Sequence, residues 1–75
     1  NQLIVIEVKT RSSEVFENPK EAVTIGKQRL IVKAANAFIE EYDIDLECRF
    51  DIISIFLLKD QVKIEHIEDA FIALL

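Results

Sequence analysis

The apolar positions fall into four blocks separated by short polar connections, and each block has its own period. Leu3-Ile4-Val5-Ile6-Glu7-Val8-Lys9 is β-branched and almost wholly apolar until two charges appear at its end. That pattern belongs to a strand covered on both faces, so it is expected to lie centrally in a sheet. Thr10 to Glu17 is a polar connection, and Asn18-Pro19-Lys20-Glu21 combines a cap, a proline at the first helical position and an acid closing a capping box, which predicts a helical turn through about Val23. Thr24 is a second N-cap, opening a longer helix from Ile25 to about Tyr42. At 100° per residue, Leu30, Ile31, Ala34, Ala35, Phe38 and Tyr42 form the stripe expected to face the sheet. The acidic stretch Asp43 to Glu47 ends that helix. Cys48 to Leu58 is a long strand, Lys59-Asp60-Gln61 a turn, and Val62 to Ile67 alternates with period two as a hairpin partner with one wet face. Glu68 to Leu75 reads as a short closing helix, giving the order β-α-β-β-α.

Composition limits what such a chain can be. At 75 residues it holds one small domain, with a core near the lower limit for independent folding, so dimerisation or a further segment is expected to contribute to stability. The absence of any Met sets the expectation of a piece of a longer protein. No apolar run approaches a membrane span, and Leu3 to Ile6 is too short for a signal peptide. A lone Cys48 permits no internal disulfide, which favours a reducing, cytoplasmic setting, and the residue itself reads as a small buried hydrophobe. The net charge of −5 argues against a general nucleic-acid coat. Its distribution is uneven: residues 1–38 carry six basic against four acidic residues, and residues 39–75 carry three against ten. An anionic ligand would approach the first half.

Candidate chemistry begins on the first strand. Side chains alternate, so Leu3, Val5, Glu7 and Lys9 share one face while Ile4, Ile6 and Val8 share the other. A carboxylate and an ammonium side by side at the end of an apolar strand suit a metal-dependent phosphodiesterase: the carboxylate holds a hard divalent cation, and the lysine assists the attacking water or neutralises charge on the phosphorus oxygens. A strand surfacing into solvent produces the same pair. Lys27 lies on the helix stripe one turn before the apolar residues; it either snorkels at the rim of the core or aims its ammonium at the sheet from a helix N-terminus that attracts anions. Arg29 and Lys33 fall on the opposite, solvated face. Asp51 shares a strand face with Arg49, Ile53 and Ile55, and it either pairs with Arg49 or a loop N–H or approaches Glu7; the pairing is the favoured expectation. His66 has no partner at metal-ligand spacing and reads as a hydrogen-bonded structural histidine. With Gly26 the only glycine, the glycine-rich nucleotide-binding fingerprints are excluded, and with them a nucleotide cofactor.

Four blocks then stand together. Val5-Ile6-Glu7-Val8-Lys9-Thr10-Arg11-Ser12-Ser13, Pro19-Lys20-Glu21-Ala22-Val23-Thr24 with Lys27-Gln28-Arg29, Arg49-Phe50-Asp51-Ile52-Ile53, and Ile64-Glu65-His66-Ile67 with Ala70-Phe71 resemble, in this order, the YraN-type family of uncharacterised bacterial proteins. The family is regarded as endonuclease-like, similar to archaeal Holliday-junction resolvases, with a PD-(D/E)XK site. The resemblance implies an α/β fold, a restriction-endonuclease-like mixed sheet with flanking helices, here residues 1–75 as a single partial domain lacking the first helix and first strands. It implies Glu7 as a metal ligand with the Val8 carbonyl as a second, Lys9 as the catalytic lysine, Lys27 close to the site, and Arg11 and Lys27 in contact with nucleic acid. The implied cation is Mg²⁺ or Mn²⁺, and the implied partner is DNA, branched DNA included, bound by a homodimer. The family pattern also places a Gly-Glu-Ile-Asp stretch upstream of Asn1, whose Asp is the other metal-binding carboxylate, so the 75-residue chain alone is expected to be inactive. The rival from a different class is a non-catalytic dimerisation or protein-interaction module that retains the fold.

Overall fold

The computed structural model describes residues 1–12 and 23–72. Four elements follow one another: strand β1 (Gln2–Arg11), helix α1 (Ile25–Glu41), strand β2 (Glu47–Leu57) and strand β3 (Val62–Phe71). The strands form one mixed sheet in the order β1-β2-β3, with β1 and β2 parallel and β2 and β3 antiparallel. This α/β arrangement matches the expected class. The capping box at Asn18 to Glu21 lies outside the described residues.

Helix α1 begins and ends where its local chemistry dictates. The Thr24 hydroxyl accepts from the Lys27 N–H at 3.2 Å, satisfying one free donor of the first turn. At the other end Asp43 adopts φ 50°, the Asp43 N–H donates to the Glu40 carbonyl at 3.4 Å, and the Ile44 N–H donates to the Ile39 carbonyl at 3.0 Å. That pair of bonds is a Schellman closure with an aspartate in the left-handed position that glycine usually fills.

The core lies between α1 and one face of the sheet. Val23, Val32, Ala35, Phe50, Ile52 and Phe71 are buried there, with Val5, Ile31, Cys48, Ile67 and Ala70 packed around them. Phe50 and Phe71 stack with ring centroids 5.1 Å apart, a separation suited to offset aromatic contact. Partial burial pushes the Cys48 thiol above its ordinary pKa, and the residue packs against the core.

Three expectations are corrected. First, β1 is an edge strand of the described sheet, not a central one, and only the face of Leu3, Val5, Glu7, Lys9 and Arg11 is covered; Ile4, Ile6 and Val8 are exposed. An apolar run on both faces therefore exceeds the cover that the described residues supply. Second, only part of the expected stripe faces the core: Ala35 is buried and Ile31 packs against it, as expected, but the rest of the stripe does not follow. Val32 and Ala35 are the buried pair, while Leu30, Phe38 and Tyr42 are exposed. Val32 and Ala35 join Phe50, Ile52 and Phe71 in the core, while Ile31, Ala34 and Phe38 line an open groove of about 410 Å³ together with Leu3, Val5 and Glu7. Third, Glu68 to Phe71 is not helical. Strand β3 continues through it to Phe71. Residues 73–75, the end of the expected helix, lie outside the described residues.

The continuation of β3 depends on a bulge. Phe50 pairs with Phe71 and Ile52 with Ile67, so Glu68, Asp69 and Ala70 stand opposite Asp51 alone. Asp69 takes φ 52° at the centre of the bulge, and its N–H donates to Asp51 Oδ1 at 3.0 Å. A tertiary hydrogen bond thus overrides the helical pattern of the local sequence.

Candidate functional site

Glu7 and Lys9 lie on the covered face of β1, near its C-terminal end, in register with Ile52 and Ser54 of β2. The N-terminus of α1 returns to the same place, because the chain must cross back before β2 can run parallel to β1. Lys27, in the first turn of α1, brings Nζ to 3.7 Å from Glu7 Oε1. Of the two alternatives for Lys27, the ammonium directed at the sheet is therefore the one observed. Its side chain remains about half exposed, and that of Glu7 is 22% exposed. A pair this open is weak in energetic terms, of order 0–1 kcal/mol, so neither group is locked by the other. The geometry brings the Glu7 carboxylate, the Lys27 ammonium, strand residue Lys9 and a helix N-terminus to the carboxyl end of parallel strands. In open α/β sheets that end is where ligands bind, and a helix N-terminus next to cations favours an anion.

Arg11 continues the same face of β1 and is engaged in an interaction of its own. Val8 points the other way and is exposed, leaving only its backbone carbonyl between Glu7 and Lys9. Among the described residues no three or more His, Cys, Asp or Glu side chains converge as a metal site. Mg²⁺ favours octahedral oxygen coordination, so one carboxylate and one carbonyl do not complete a site for it.

A second polar cluster occupies the opposite face. Asp51, 1% exposed, is in register with Ile6 and so points away from Glu7. Its Oδ1 accepts from Arg49 Nε at 2.8 Å and from the Asp69 N–H at 3.0 Å; its Oδ2 accepts from Arg49 Nη2 at 2.7 Å and from His66 Nε2 at 2.8 Å. Arg49 also reaches Glu68 at 3.7 Å. The Arg49 hydrogen bonds hold the Asp51 carboxyl well below the usual carboxylate range against the opposing effect of burial, with the Asp69 N–H and His66 assisting. The same contact raises the pKa of the Arg49 guanidinium. Of the two alternatives for Asp51, pairing is the one realised, and His66 is hydrogen-bonded as expected.

Sequence reasoning passed over Ser54. It is fully buried on the site face, directly beside Lys9 in the register, and its hydroxyl has no hydrogen-bond partner. Its even spacing from Phe50 and Ile52 already placed it on their face, but the parallel register that sets it beside Lys9 is not readable from either strand alone.

Residues 1–55 match the profile described as uncharacterised protein family UPF0102. The chain belongs to this family. It is 49% identical over 71 residues to a UPF0102 protein of Flavobacterium psychrophilum, covering 95% of this chain and 60% of that protein. A UPF0102 protein of Phocaeicola vulgatus is likewise 49% identical, over 95% of this chain and 59% of its own length. The UPF0102 protein of Christiangramia forsetii is 51% identical, with 95% and 60% covered. The chain thus spans about 60% of the length of the curated relatives it matches. No solved structure matches the chain. Among the described residues of this UPF0102 protein no helix is long and apolar enough to cross a membrane.

Proposed function

We propose that this UPF0102 chain carries the core of a metal-dependent endonuclease that hydrolyses DNA phosphodiester bonds, branched DNA included, in the cytoplasm. The observation that supports it most is the convergence of Glu7, Lys9 and Lys27 at the carboxyl end of β1, with the Glu7 carboxylate 3.7 Å from the Lys27 ammonium. Hydrolysis of a phosphodiester builds negative charge on the phosphoryl oxygens as water attacks. The ammonium groups of Lys9 and Lys27 can neutralise that charge, and Arg11 and Lys27 can hold the flanking backbone phosphates. Mg²⁺ or Mn²⁺, the cation the resemblance implies, would supply Lewis-acid stabilisation when bound. The described residues offer it only Glu7 and the Val8 carbonyl, so the 75-residue chain alone is expected to be inactive.

The test uses the complete gene product that contains this chain. Branched and linear DNA are incubated with Mg²⁺ or Mn²⁺, alongside Glu7→Ala and Lys9→Ala. Cutting lost in both variants supports the assignment; a folded, pure protein that cuts none of the substrates, or variants that cut as well as the parent, would refute it. Catalysis by the isolated 75-residue chain would refute the incompleteness of its metal site.

One observation favours a second reading, a non-catalytic module that dimerises or binds a protein. Ile4, Ile6 and Val8 are 42%, 46% and 54% exposed on one face of an edge strand, and such strands tend to pair with another chain. A homodimer is compatible with both readings, because a junction-cutting enzyme also needs two sites. Sedimentation shows the association and the cleavage assay shows whether catalysis accompanies it.

A further inference from the structure

Ser54 is the one buried side chain among the described residues whose polar atom is left without a hydrogen-bond partner. A buried hydroxyl in that state has lost its hydration without compensation, so its retention calls for a physical explanation. Its surroundings supply one. On the site face, Ser54 is paired across the sheet with Lys9 of β1 on one side and with Glu65 of β3 on the other. Neighbouring strands lie about 4.8 Å apart, and side chains directly opposite point to the same face. A donor, a hydroxyl and an acceptor therefore stand in one row across three strands. A hydroxyl accepts and donates at once, which makes Ser54 the only one of the three able to bridge the other two.

We propose that Ser54 is a positioning residue for Lys9: its Oγ accepts a hydrogen bond from the Lys9 ammonium and donates one to the Glu65 carboxylate, drawing the lysine in beside Glu7. Glu65 is within reach of a second cation, with Lys63 Nζ 3.3 Å away, so forming the row exchanges part of that exposed pair for a bond to a buried hydroxyl. Lys9 otherwise has a four-carbon stem free to point into solvent, and the row restricts it to the site. The inference deepens the endonuclease reading by naming what aims its lysine, and it rests on Lys9 being a site residue.

The experiment measures Lys9 directly, in the complete gene product. With ¹⁵N-labelled lysine, the exchange of the Lys9 ammonium protons with water is followed at low temperature in the parent, Ser54→Ala and Ser54→Thr. Loss of one hydrogen bond to the ammonium is expected to speed exchange roughly threefold to tenfold in Ser54→Ala, with Ser54→Thr, which keeps the hydroxyl, returning it toward the parent. Glu65→Gln should give an intermediate rate. Thermal unfolding of Ser54→Ala is expected modestly below the parent temperature, because both bonds of the row are lost with the hydroxyl. Equal exchange in parent and Ser54→Ala overturns the proposal, and so does a loss of stability without any change at Lys9, which would make Ser54 a purely structural donor. The cleavage assay separates the two levels. Ser54-dependent protection of Lys9 in a protein that cuts no DNA leaves the row standing and removes the nuclease; Ser54→Ala that cuts as the parent does, with unaltered Lys9 exchange, does the reverse.

Discussion

Replacing Asp51 with Asn tests the account of β3 most severely, because the substitution preserves shape and removes only the acceptor chemistry. All four groups around the carboxylate are donors: Arg49 Nε and the Asp69 N–H on Oδ1, Arg49 Nη2 and His66 Nε2 on Oδ2. An asparagine offers one oxygen. With its NH₂ in place of Oδ1 it meets two obligate donors, Arg49 Nε and the Asp69 N–H; in place of Oδ2 it meets Arg49 Nη2 and His66 Nε2, which can accept as the other tautomer, so in either orientation at least one Arg49 bond and the charge facing the guanidinium are lost. Because Asp51 is 1% exposed and the substitution leaves the Arg49 guanidinium without its counter-charge, the expected cost is about 3–5 kcal/mol. A domain of this size has of order 4–11 kcal/mol to lose. The assay is urea unfolding at pH 7, where a small-protein slope of about 1 kcal/mol per M turns this cost into a midpoint lowered by about 3 M or more. Amide exchange should show the loss concentrated in β3 from Ile67 to Phe71, since Asp51 holds the bulge there. A midpoint within 0.5 M of the parent, an allowance of about 0.5 kcal/mol, would refute the claim that the carboxylate holds this part of the sheet.

Further outcomes follow from the same geometry. Asp51 is depressed in the folded protein, so its stabilising contribution is complete above the ordinary carboxylate value of about 3.9 and declines as pH falls below it toward the folded value; urea midpoints taken from pH 7 down to pH 2 should show this acid limb in the parent and a flatter one in Asp51→Asn. Asp43→Gly should stabilise by about 0.5–1 kcal/mol in chemical denaturation, because residue 43 holds φ 50° in the Schellman closure and glycine accepts that conformation without a Cβ penalty. Thr24→Ala should cost about 1 kcal/mol by removing the acceptor for the Lys27 N–H, with the loss of helix signal on heating as a second readout. Ile52→Ala, at a fully buried position beneath α1, should cost about 2–5 kcal/mol in thermal unfolding.

How much of this was legible in the sequence depended on whether the deciding interaction was local. Helix α1 was, because Thr24 and the acidic stretch after Tyr42 carry their own start and stop signals within a few residues. The strands β1 and β2 were, because their β-branched runs leave no competing period. The end of β3 was not: Glu68-Asp69-Ala70-Phe71 has a helical pattern, and only the Asp51 carboxylate, eighteen residues away in the chain, holds Asp69 in its bulge. The partial mismatch of the α1 stripe was hidden for a similar reason. Its apolar residues cover more of the circumference than the core accepts, and the burial of Val32 in place of Leu30 and Phe38 is decided by the sheet residues it meets. At the site, alternation along β1 was enough to put Glu7 beside Lys9, and helix geometry put Lys27 on the sheet-facing side, but the choice between snorkelling and reaching Glu7 required the fold. The parallel register that adds Ser54 required the fold.

Two carboxylates on opposite faces of this sheet, Asp51 and Glu7, are held very differently. Asp51 accepts from four donors and is almost wholly enclosed; it has no lone pair to spare for a ligand, and any ligand would first have to displace Arg49. Glu7 has a single loose cation at 3.7 Å, is partly open to water, and lies beside an apolar groove. Its desolvation is incomplete and its coordination unfinished. The slack at Glu7, together with the orphaned hydroxyl of Ser54 in the neighbouring row, marks the covered face of β1 as the place where bonding capacity is held in reserve. The opposite face, where every donor around Asp51 is matched, spends that capacity on holding β3 in place.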